Sequence, residues 1–444
     1  MTASSFALAL PLAAVLLAAT ACTPAPAHSA GPHPAGPHPA GPHAAGPHAA
    51  SAQAAGPWRS AWSASLQAPA HTTWFENWSE GGFDRHTLRQ VVRAGAEGQA
   101  LRVRLSNAYG ARPLRIAGAA VARSAGGAAV AEDSVRTVRF GGAAGFTVHA
   151  GRQLLSDPVA LPVKAGEQLA VTLWFAAPTG PATFHNLALT TSYRAAGNHV
   201  GDPAATAFTQ TSRSWYYVAG VDVQERAGGA GRPRTVVAFG DSLTDGLGAT
   251  FGADRRYPDR LAGRLAAAGR PLAVLNEGIS GNKVLNDSVC YGERGTARFR
   301  RDVLGHPDVR TVIVLEGTND IIQAERQPAR CTTPSPKVGA AEIIAGHREF
   351  VRQARARGVR ILGATIPPYR GYPDWTPRGE GVRNAVNDWI RTGGAYDGVV
   401  DFDRALADPA DPGVLREEFR SGDRLHLNDA GNAAMAAAVD LNAL

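Results

Sequence analysis

Five short stretches between residues 235 and 403 are apolar at nearly every position: TVVAFG (235–240), LAVLNEG (272–278), VRTVIVLEG (309–317), VRILGATI (359–366) and GVVDFD (398–403). A strand with one wet face alternates apolar and polar residues. A strand that is apolar throughout must be covered on both faces, which is the condition of a parallel sheet sandwiched by helices. The intervening segments supply the helices. Over 340–357, Ala340, Ile343, Ile344, His347, Phe350, Val351 and Ala354 form one stripe, and Gly358 stands where a helix would be capped. His347 on that stripe reads as a core histidine. The pattern predicts a three-layer α/β domain over 234–444, with a flavodoxin-like parallel sheet. Such sheets gather ligands at the carboxyl ends of their strands, and Ser242 falls at the end of the first.

Ahead of this domain the period changes to two. ALRVRLSN places Leu101, Val103 and Leu105 on one face and Arg102, Arg104 and Ser106 on the other; QLAVTLWFA repeats this with Leu169, Val171, Leu173 and Phe175. Short runs of this kind separated by Gly, Pro and Asn predict an antiparallel, jelly-roll-like β-sandwich over 57–226, and AGGAGRP (227–233) reads as its linker. Its aromatic residues are dense (Trp58, Trp62, Trp74, Trp78, Trp174, Trp215, Tyr216, Tyr217). They either stack on sugars or pack the sandwich and its interface, and packing is the plainer reading.

Residues 6–21, FALALPLAAVLLAATA, form an apolar run too short for a membrane span and of the length of an export signal core. Ala19, Thr20 and Ala21 give a small-x-small cleavage pattern, so 1–21 reads as a signal peptide. Cys22 follows directly, and lipidation there, tethering the chain to a membrane, stands beside simple cleavage. No Lys or Arg precedes the apolar core, which departs from both patterns. Residues 22–56 include GPHPAGPHPAGPHAAGPHAA, a five-residue repeat that cannot bury a core and reads as an extended tether; His33, His38, His43 and His48 have no folded scaffold to make them a metal site. In an oxidising compartment the two remaining cysteines, Cys290 and Cys331, are expected to pair. The net charge of +7 is carried almost wholly by scattered arginines, without a basic block, so no nucleic-acid role is expected.

The first apolar run continues as GDSLTDG (240–246). A serine hydroxyl is a poor nucleophile unless a base takes its proton and donors receive the oxyanion it creates. SGDRLHLNDAGN, near the end of the chain, holds Asp423 and His426 three residues apart, so the carboxylate can sit on Nδ1 while Nε2 faces Ser242. Asn428 and Asp429 look like a cap for the following helix. Gly281 in NEGISGNKV and Asn319 in EGTNDI end the second and third runs as candidate oxyanion donors; the plainer readings are a tight turn and a helix cap. The other folded histidines attract less interest: His306 lies in a polar connection, and His71, His86, His149, His185 and His199 belong to the sandwich.

Taken in order, GDSLTDG (240–246), GISGN (278–282), GTND (317–320) and DRLH (423–426) resemble the four motif blocks of the GDSL, or SGNH, hydrolase family, over about residues 234–444. The resemblance implies Ser242 as nucleophile, His426 as general base and acid, Asp423 as its orienter, and an oxyanion hole of Ser242 N–H, Gly281 N–H and the Asn319 amide. No motif supports a metal role, and no cofactor is expected. The Gly-x-Ser-x-Gly elbow of the larger α/β-hydrolases is not present at Ser242. The front domain more loosely resembles the β-sandwich of two-domain bacterial carbohydrate acetyl esterases.

These readings predict a secreted or surface-attached, monomeric esterase that removes small acyl groups, acetyl foremost, from a carbohydrate such as an acetylated polysaccharide. A lipase or lysophospholipase would use the same machinery on longer chains, although the sequence shows no obvious apolar lid. A carbohydrate-binding surface protein with an inactive hydrolase domain is the reading from another class. TIPPYRGYPDW (365–375) follows the fourth run, and its Tyr369, Tyr372 and Trp375 are expected to line the substrate site.

Overall fold

In a computed structural model, residues 56–71, 75–226 and 235–444 are described. The signal segment, Cys22, the tether up to residue 55, Trp74 and the linker at 227–233 lie outside the described residues. The five apolar runs become parallel strands: β1 (Thr235–Gly240), β2 (Ala273–Gly278), β3 (Val309–Leu315), β4 (Arg360–Ala364) and β5 (Gly398–Val400). They lie side by side in the order β2-β1-β3-β4-β5, the flavodoxin-like arrangement.

The strands are largely apolar because successive residues enter different cores. Val237, Phe239, Leu275, Val312 and Val314 pack with Phe299, Phe350 and Ile390 on one side of the sheet. Their neighbours Val236, Ala238, Ile313 and Leu315 pack with Leu261, Leu265, Phe402 and Met435 on the other. The first layer of helices contains α3 (Gly295–Asp302), α5 (Ala340–Arg355) and α6 (Pro377–Thr392); the second contains α2 (Tyr257–Ala267), α7 (Phe402–Leu406) and α8 (Asp429–Ala438). Two short helices, α1 (Ser242–Asp245) and α4 (Thr318–Ile322), sit at strand ends. The stripe on α5 is buried at Ile343, His347, Phe350, Val351 and Ala354, and Gly358 has a φ of +66°. His347 has no exposed surface; its Nδ1 pairs with Tyr396 Oη and its Nε2 with the Glu316 carbonyl, and burial lowers its pKa to about 4.

Register aligns the strand tips. Gly240 lies opposite Gly278 on β2 and opposite Leu315 on β3. Ser242, Gly281 and Asn319 follow those three residues by two to four positions, so pairing alone brings them to one edge. Gly240 is required there, since a Cβ would strike the Leu315 carbonyl of the neighbouring strand.

Beside two two-stranded sheets, the front region is built on two main antiparallel sheets. One runs Trp58–Ser63, Val218–Gln224, Ala100–Ser106, Gln153–Leu155; the other has Ser192–Ala196, His86–Arg93, Gln168–Phe175 and Gly118–Gly126 as its middle strands. Leu101, Val103 and Leu105 face the shared core, as the alternation predicts. The strand Gln168–Phe175 departs from it: Ala170 and Thr172 are buried as well. Arg89 covers that outer face, donating from Nε to Thr172 Oγ1 at 3.0 Å with its guanidinium 4.2 Å over Phe208. Most of the aromatic set packs. Trp62 and Trp215 meet edge to face at 4.9 Å and Trp78 stacks on Tyr216 at 5.6 Å, whereas Trp58, Trp78 and Trp174 are only partly covered.

The described residues all belong to one compact unit. The sandwich strand Trp58–Ser63 and the residues after it run along β2 and contribute a row of hydroxyls to it. Ser63 Oγ donates to Glu277 Oε1, Ser65 Oγ donates to Glu277 Oε2 at 2.6 Å, and His306 Nε2 meets Oε1 at 3.0 Å. Ser60 Oγ reaches His306 Nδ1 at 3.1 Å, so the histidine of the polar connection is an interface residue. No described helix is long and apolar enough to cross a membrane.

Candidate active site

The chain turns from β1 into α1 at Asp241, whose carboxylate caps the helix by accepting from Leu243 N at 3.0 Å. Ser242 is the first helical residue, so its N–H has no partner within the helix. Burial raises the Asp241 carboxyl to about 6, against the pull of the Leu243 N–H and the charge of His426.

The loop before α8 brings the base. Asn428 caps α8 by accepting from Ala430 N and Gly431 N and donates from Nδ2 to the Glu418 and Arg420 carbonyls, which fixes the preceding turn. Asp429 ties that turn to the segment after α1, accepting from Thr250 N, Thr250 Oγ1 and Arg255. Inside it, His426 Nδ1 lies 2.5 Å from Asp423 Oδ2, and Nε2 lies 2.8 Å from Ser242 Oγ. Asp423 Oδ1 accepts from His426 N at 2.9 Å, Leu425 N at 3.0 Å and Ser421 Oγ at 3.1 Å. Burial tends to raise the Asp423 carboxyl. The hydrogen bond and charge of His426, helped by those backbone donors, overcome it and hold the group well below the usual carboxylate range. A carboxylate on Nδ1 keeps the ring proton there, leaving Nε2 free to accept from the serine hydroxyl.

The two candidate oxyanion residues are held by a side chain that sequence reasoning missed. Gln323, one turn beyond Asn319, donates from Nε2 to Asn319 Oδ1 at 3.1 Å and to the Gly281 carbonyl at 2.9 Å. With Oδ1 engaged, Asn319 Nδ2 faces Asp241 Oδ2 at 3.3 Å, beside the nucleophile. The i,i+4 spacing of Asn319 and Gln323 was the available signal. Gly281 has a φ of +83°, and a Cβ on it would lie 2.5 Å from the ring of Tyr291. Both the backbone and the close approach therefore exclude a side chain. Asp320 of the same GTND block accepts from Val284 N at 2.7 Å and Leu285 N at 3.1 Å, fixing the segment that follows Gly281; burial raises its carboxyl to about 6.

Beneath the strand tips lies Arg298, fully buried on α3 and stacked 4.0 Å over Phe239. It donates to the Gly240 carbonyl at 2.8 Å, the Glu277 carbonyl at 2.8 Å, Asn282 Oδ1 at 2.7 Å, Glu316 Oε1 at 3.1 Å and Ser65 Oγ at 3.0 Å. One cation thus ties β1, β2, the third strand's end and the sandwich together. Burial, then the neighbouring Asp241 charge, pushes Glu316 well above the carboxylate range despite Arg298.

Ser242, Gly281, Asn319, Asp423 and His426 therefore converge on one edge. Tyr369 does not join them. It is fully buried in the core between the sheet and α6, and its hydroxyl has no hydrogen-bond partner. The expectation that it contacts substrate is corrected. Tyr372 is half-buried and accepts from Arg326 Nη2 at 2.6 Å, while Arg326 Nε donates to Asp374 Oδ2 at 2.5 Å. Trp375 is partly buried and donates to Glu380. Cys290 and Cys331 are joined in a disulfide. No cluster placed to hold a metal occurs among the described residues.

A family model of the GDSL-like lipase/acylhydrolase family matches residues 238–434. Among solved structures, the chain is similar to a GDSL-like lipase from Bacteroides thetaiotaomicron, at 18% identity and a TM-score of 0.34 over 46% of this chain and 85% of that one. It is also similar to the native M. smegmatis aryl esterase, at 20% identity and a TM-score of 0.34 over 46% and 95%. An acetyl xylan esterase follows at 18% identity, with a TM-score of 0.36 over 46% and 96%. No curated protein sequence matches the chain.

Proposed function

Since the parallel-sheet domain belongs to the GDSL-like lipase/acylhydrolase family, and the chain is accordingly a carboxylic ester hydrolase, we propose that it is an exported serine esterase that removes small acyl groups, acetyl foremost, from a carbohydrate or related ester. The observation that carries this reading is the continuous set of hydrogen bonds from Asp423 through His426 to Ser242.

In the proposed reaction Ser242 Oγ attacks the ester carbonyl as His426 Nε2 takes its proton. Asp423 keeps the ring oriented and balances the imidazolium. The carbonyl oxygen gains negative charge between Ser242 N–H, Gly281 N–H and Asn319 Nδ2. The tetrahedral intermediate collapses, His426 returns the proton to the departing alkoxide, and the acyl group stays on Ser242. Water then attacks the acyl-enzyme with His426 again as base, releasing the acid and restoring the serine.

The surroundings support a polar ester. Tyr291 lies against Gly281. Burial raises the Tyr291 hydroxyl, and Arg326 is close enough to oppose that rise. Burial likewise raises Tyr372; Arg326 opposes it and the Asp423 charge adds to it. The Tyr372 hydroxyl and the Arg326 guanidinium thus form a polar pair near Asp423, suited to a polar alcohol rather than an aliphatic tail. The apolar run at 6–21, the cleavage pattern before Cys22 and the disulfide support export.

Ser242→Ala tests the assignment. It is expected to abolish hydrolysis of p-nitrophenyl acetate and phosphonate labelling while leaving thermal unfolding unchanged; retained turnover overturns the triad. A chain-length series on the wild type tests the acyl class, and a maximum at about eight carbons or more, the reach of a lipid-sized groove, would assign the enzyme to lipids.

A further inference from the structure

One histidine of the β-sandwich reaches the end of α1, beside the hydrolytic site. His185 lies on the short strand Phe184–His185, is 2% exposed, and packs 5.4 Å from the Trp215 ring. Its Nδ1 faces the Ser65 carbonyl at 2.8 Å. Its Nε2 faces the Leu187 carbonyl at 3.0 Å and Asp245 Oδ1 at 3.2 Å. Every one of these partners is an acceptor, so the ring donates from both nitrogens and is held as imidazolium. A cation so enclosed requires an opposite charge close by. Asp245 provides it: the last residue of α1, three positions after Ser242 and also 2% exposed. The other oxygen of Asp245 is committed to the oxyanion side, accepting from Ser280 N at 2.9 Å and Ser280 Oγ at 2.6 Å. Ser280 immediately precedes Gly281.

We infer that His185 is a positioning residue: the sandwich holds Asp245 through this imidazolium, and Asp245 in turn holds the turn at 280–281 where the Gly281 N–H meets the developing oxyanion. The inference rests on the oxyanion assignment above and deepens it, because it makes the front domain part of the catalytic apparatus rather than an attached module. Without His185 the Asp245 carboxylate keeps its Ser280 bonds but loses the cation that anchors it from the other side. The turn then relaxes and the Gly281 donor is displaced. Loss of a whole oxyanion donor costs about 10²–10³ in kcat, so displacement of one is expected to cost roughly 10- to 100-fold. Substrate binding in the ground state does not use the donor's final position, so KM stays within about threefold.

The test compares His185→Gln, Asp245→Asn and the double variant on a short-chain ester, with active sites counted by phosphonate labelling of Ser242 and folding followed by thermal unfolding. The expected result is a kcat per labelled site lowered roughly 10- to 100-fold in each single variant, with KM nearly unchanged and the double variant no worse than the poorer single one. A full kcat per labelled site beside a lowered melting temperature means a merely structural role and overturns the inference, as do independent, multiplying losses in the double variant. Ser280→Ala, which removes only the hydroxyl at the far end, keeps the idea testable if His185→Gln does not fold: a severalfold loss of kcat supports it and unchanged kcat overturns it. Failure of the underlying assignment has a different signature, the wild type then showing no phosphonate label on Ser242.

Discussion

Replacing Asp423 with Asn should inactivate the enzyme for a reason specific to this loop. Asp423 Oδ1 accepts from the backbone N–H groups of His426 and Leu425 at 2.9 and 3.0 Å, and Oδ2 receives His426 Nδ1. In the Asp423→Asn variant the amide oxygen must stay where Oδ1 was, because an NH2 group there would confront two N–H donors. The NH2 group then faces Nδ1, which can be satisfied only as an acceptor. The ring proton moves to Nε2, which points at Ser242 Oγ and can no longer take its proton. Flipping the amide restores the right tautomer but gives up two backbone hydrogen bonds, at about 0.5–1.5 kcal/mol each. At 1.36 kcal/mol per decade, a cost of roughly 1–3 kcal/mol leaves the productive form suppressed roughly 5- to 150-fold. Loss of the carboxylate's charge beside the imidazolium adds to that, and a ring locked in the wrong tautomer loses about 10⁴. The expected fall in kcat therefore lies between about 10² and 10⁴. The assay is p-nitrophenyl acetate hydrolysis at saturating substrate, with thermal unfolding to confirm the fold. Asp423→Ala, which imposes no tautomer, is the companion variant. An Asp423→Asn enzyme within tenfold of wild type would refute the role given to Asp423.

Gln323→Ala removes both donors that hold Asn319 Oδ1 and the Gly281 carbonyl; kcat is expected to fall roughly 10- to 100-fold, part of the cost of an absent oxyanion donor, with KM little changed in steady-state kinetics. Tyr369→Phe removes a buried hydroxyl that has no partner, so kcat/KM should stay within about twofold and denaturant unfolding should show unchanged or higher stability, an unsatisfied buried group costing about 1–3 kcal/mol. Replacing Cys290 and Cys331 together by Ser opens a closure of 41 residues, and chain entropy predicts about 4 kcal/mol lower stability in chemical unfolding.

The five buried strands were legible because burial on both faces leaves a local trace: after Thr235, the residues of TVVAFG are apolar whichever way they point. The stripe on α5 and its Gly358 end were legible on the same principle, as was the alternation at 100–106. The strand at 168–175 misled on its second face, because Arg89 and Phe208, distant in sequence, keep water from Thr172. Tyr369 misled for a similar reason. Proximity to a strand end says nothing of which way a ring turns, and α6 drew it inward.

The residues of the site divide along the same line. Ser242, Gly281, Asn319, Asp423 and His426 were readable because their chemistry demands particular residue types at strand tips, and strand tips can be read from hydrophobic pattern. Gln323, Arg298 and His185 act by closing hydrogen-bonding capacity left open on other elements, a demand that exists only once those elements meet. In the chain as written, His185 is one sandwich histidine among several; in the fold its two nitrogens face only acceptors, one of them Asp245. Burial and chemistry constrain residue type locally, so the order of residues alone specifies the sheet, its edge and the reactive groups along it. That the sandwich holds this edge in place follows from the assembled fold, since the satisfaction of buried polar groups is settled between parts of the chain that sequence distance does not relate.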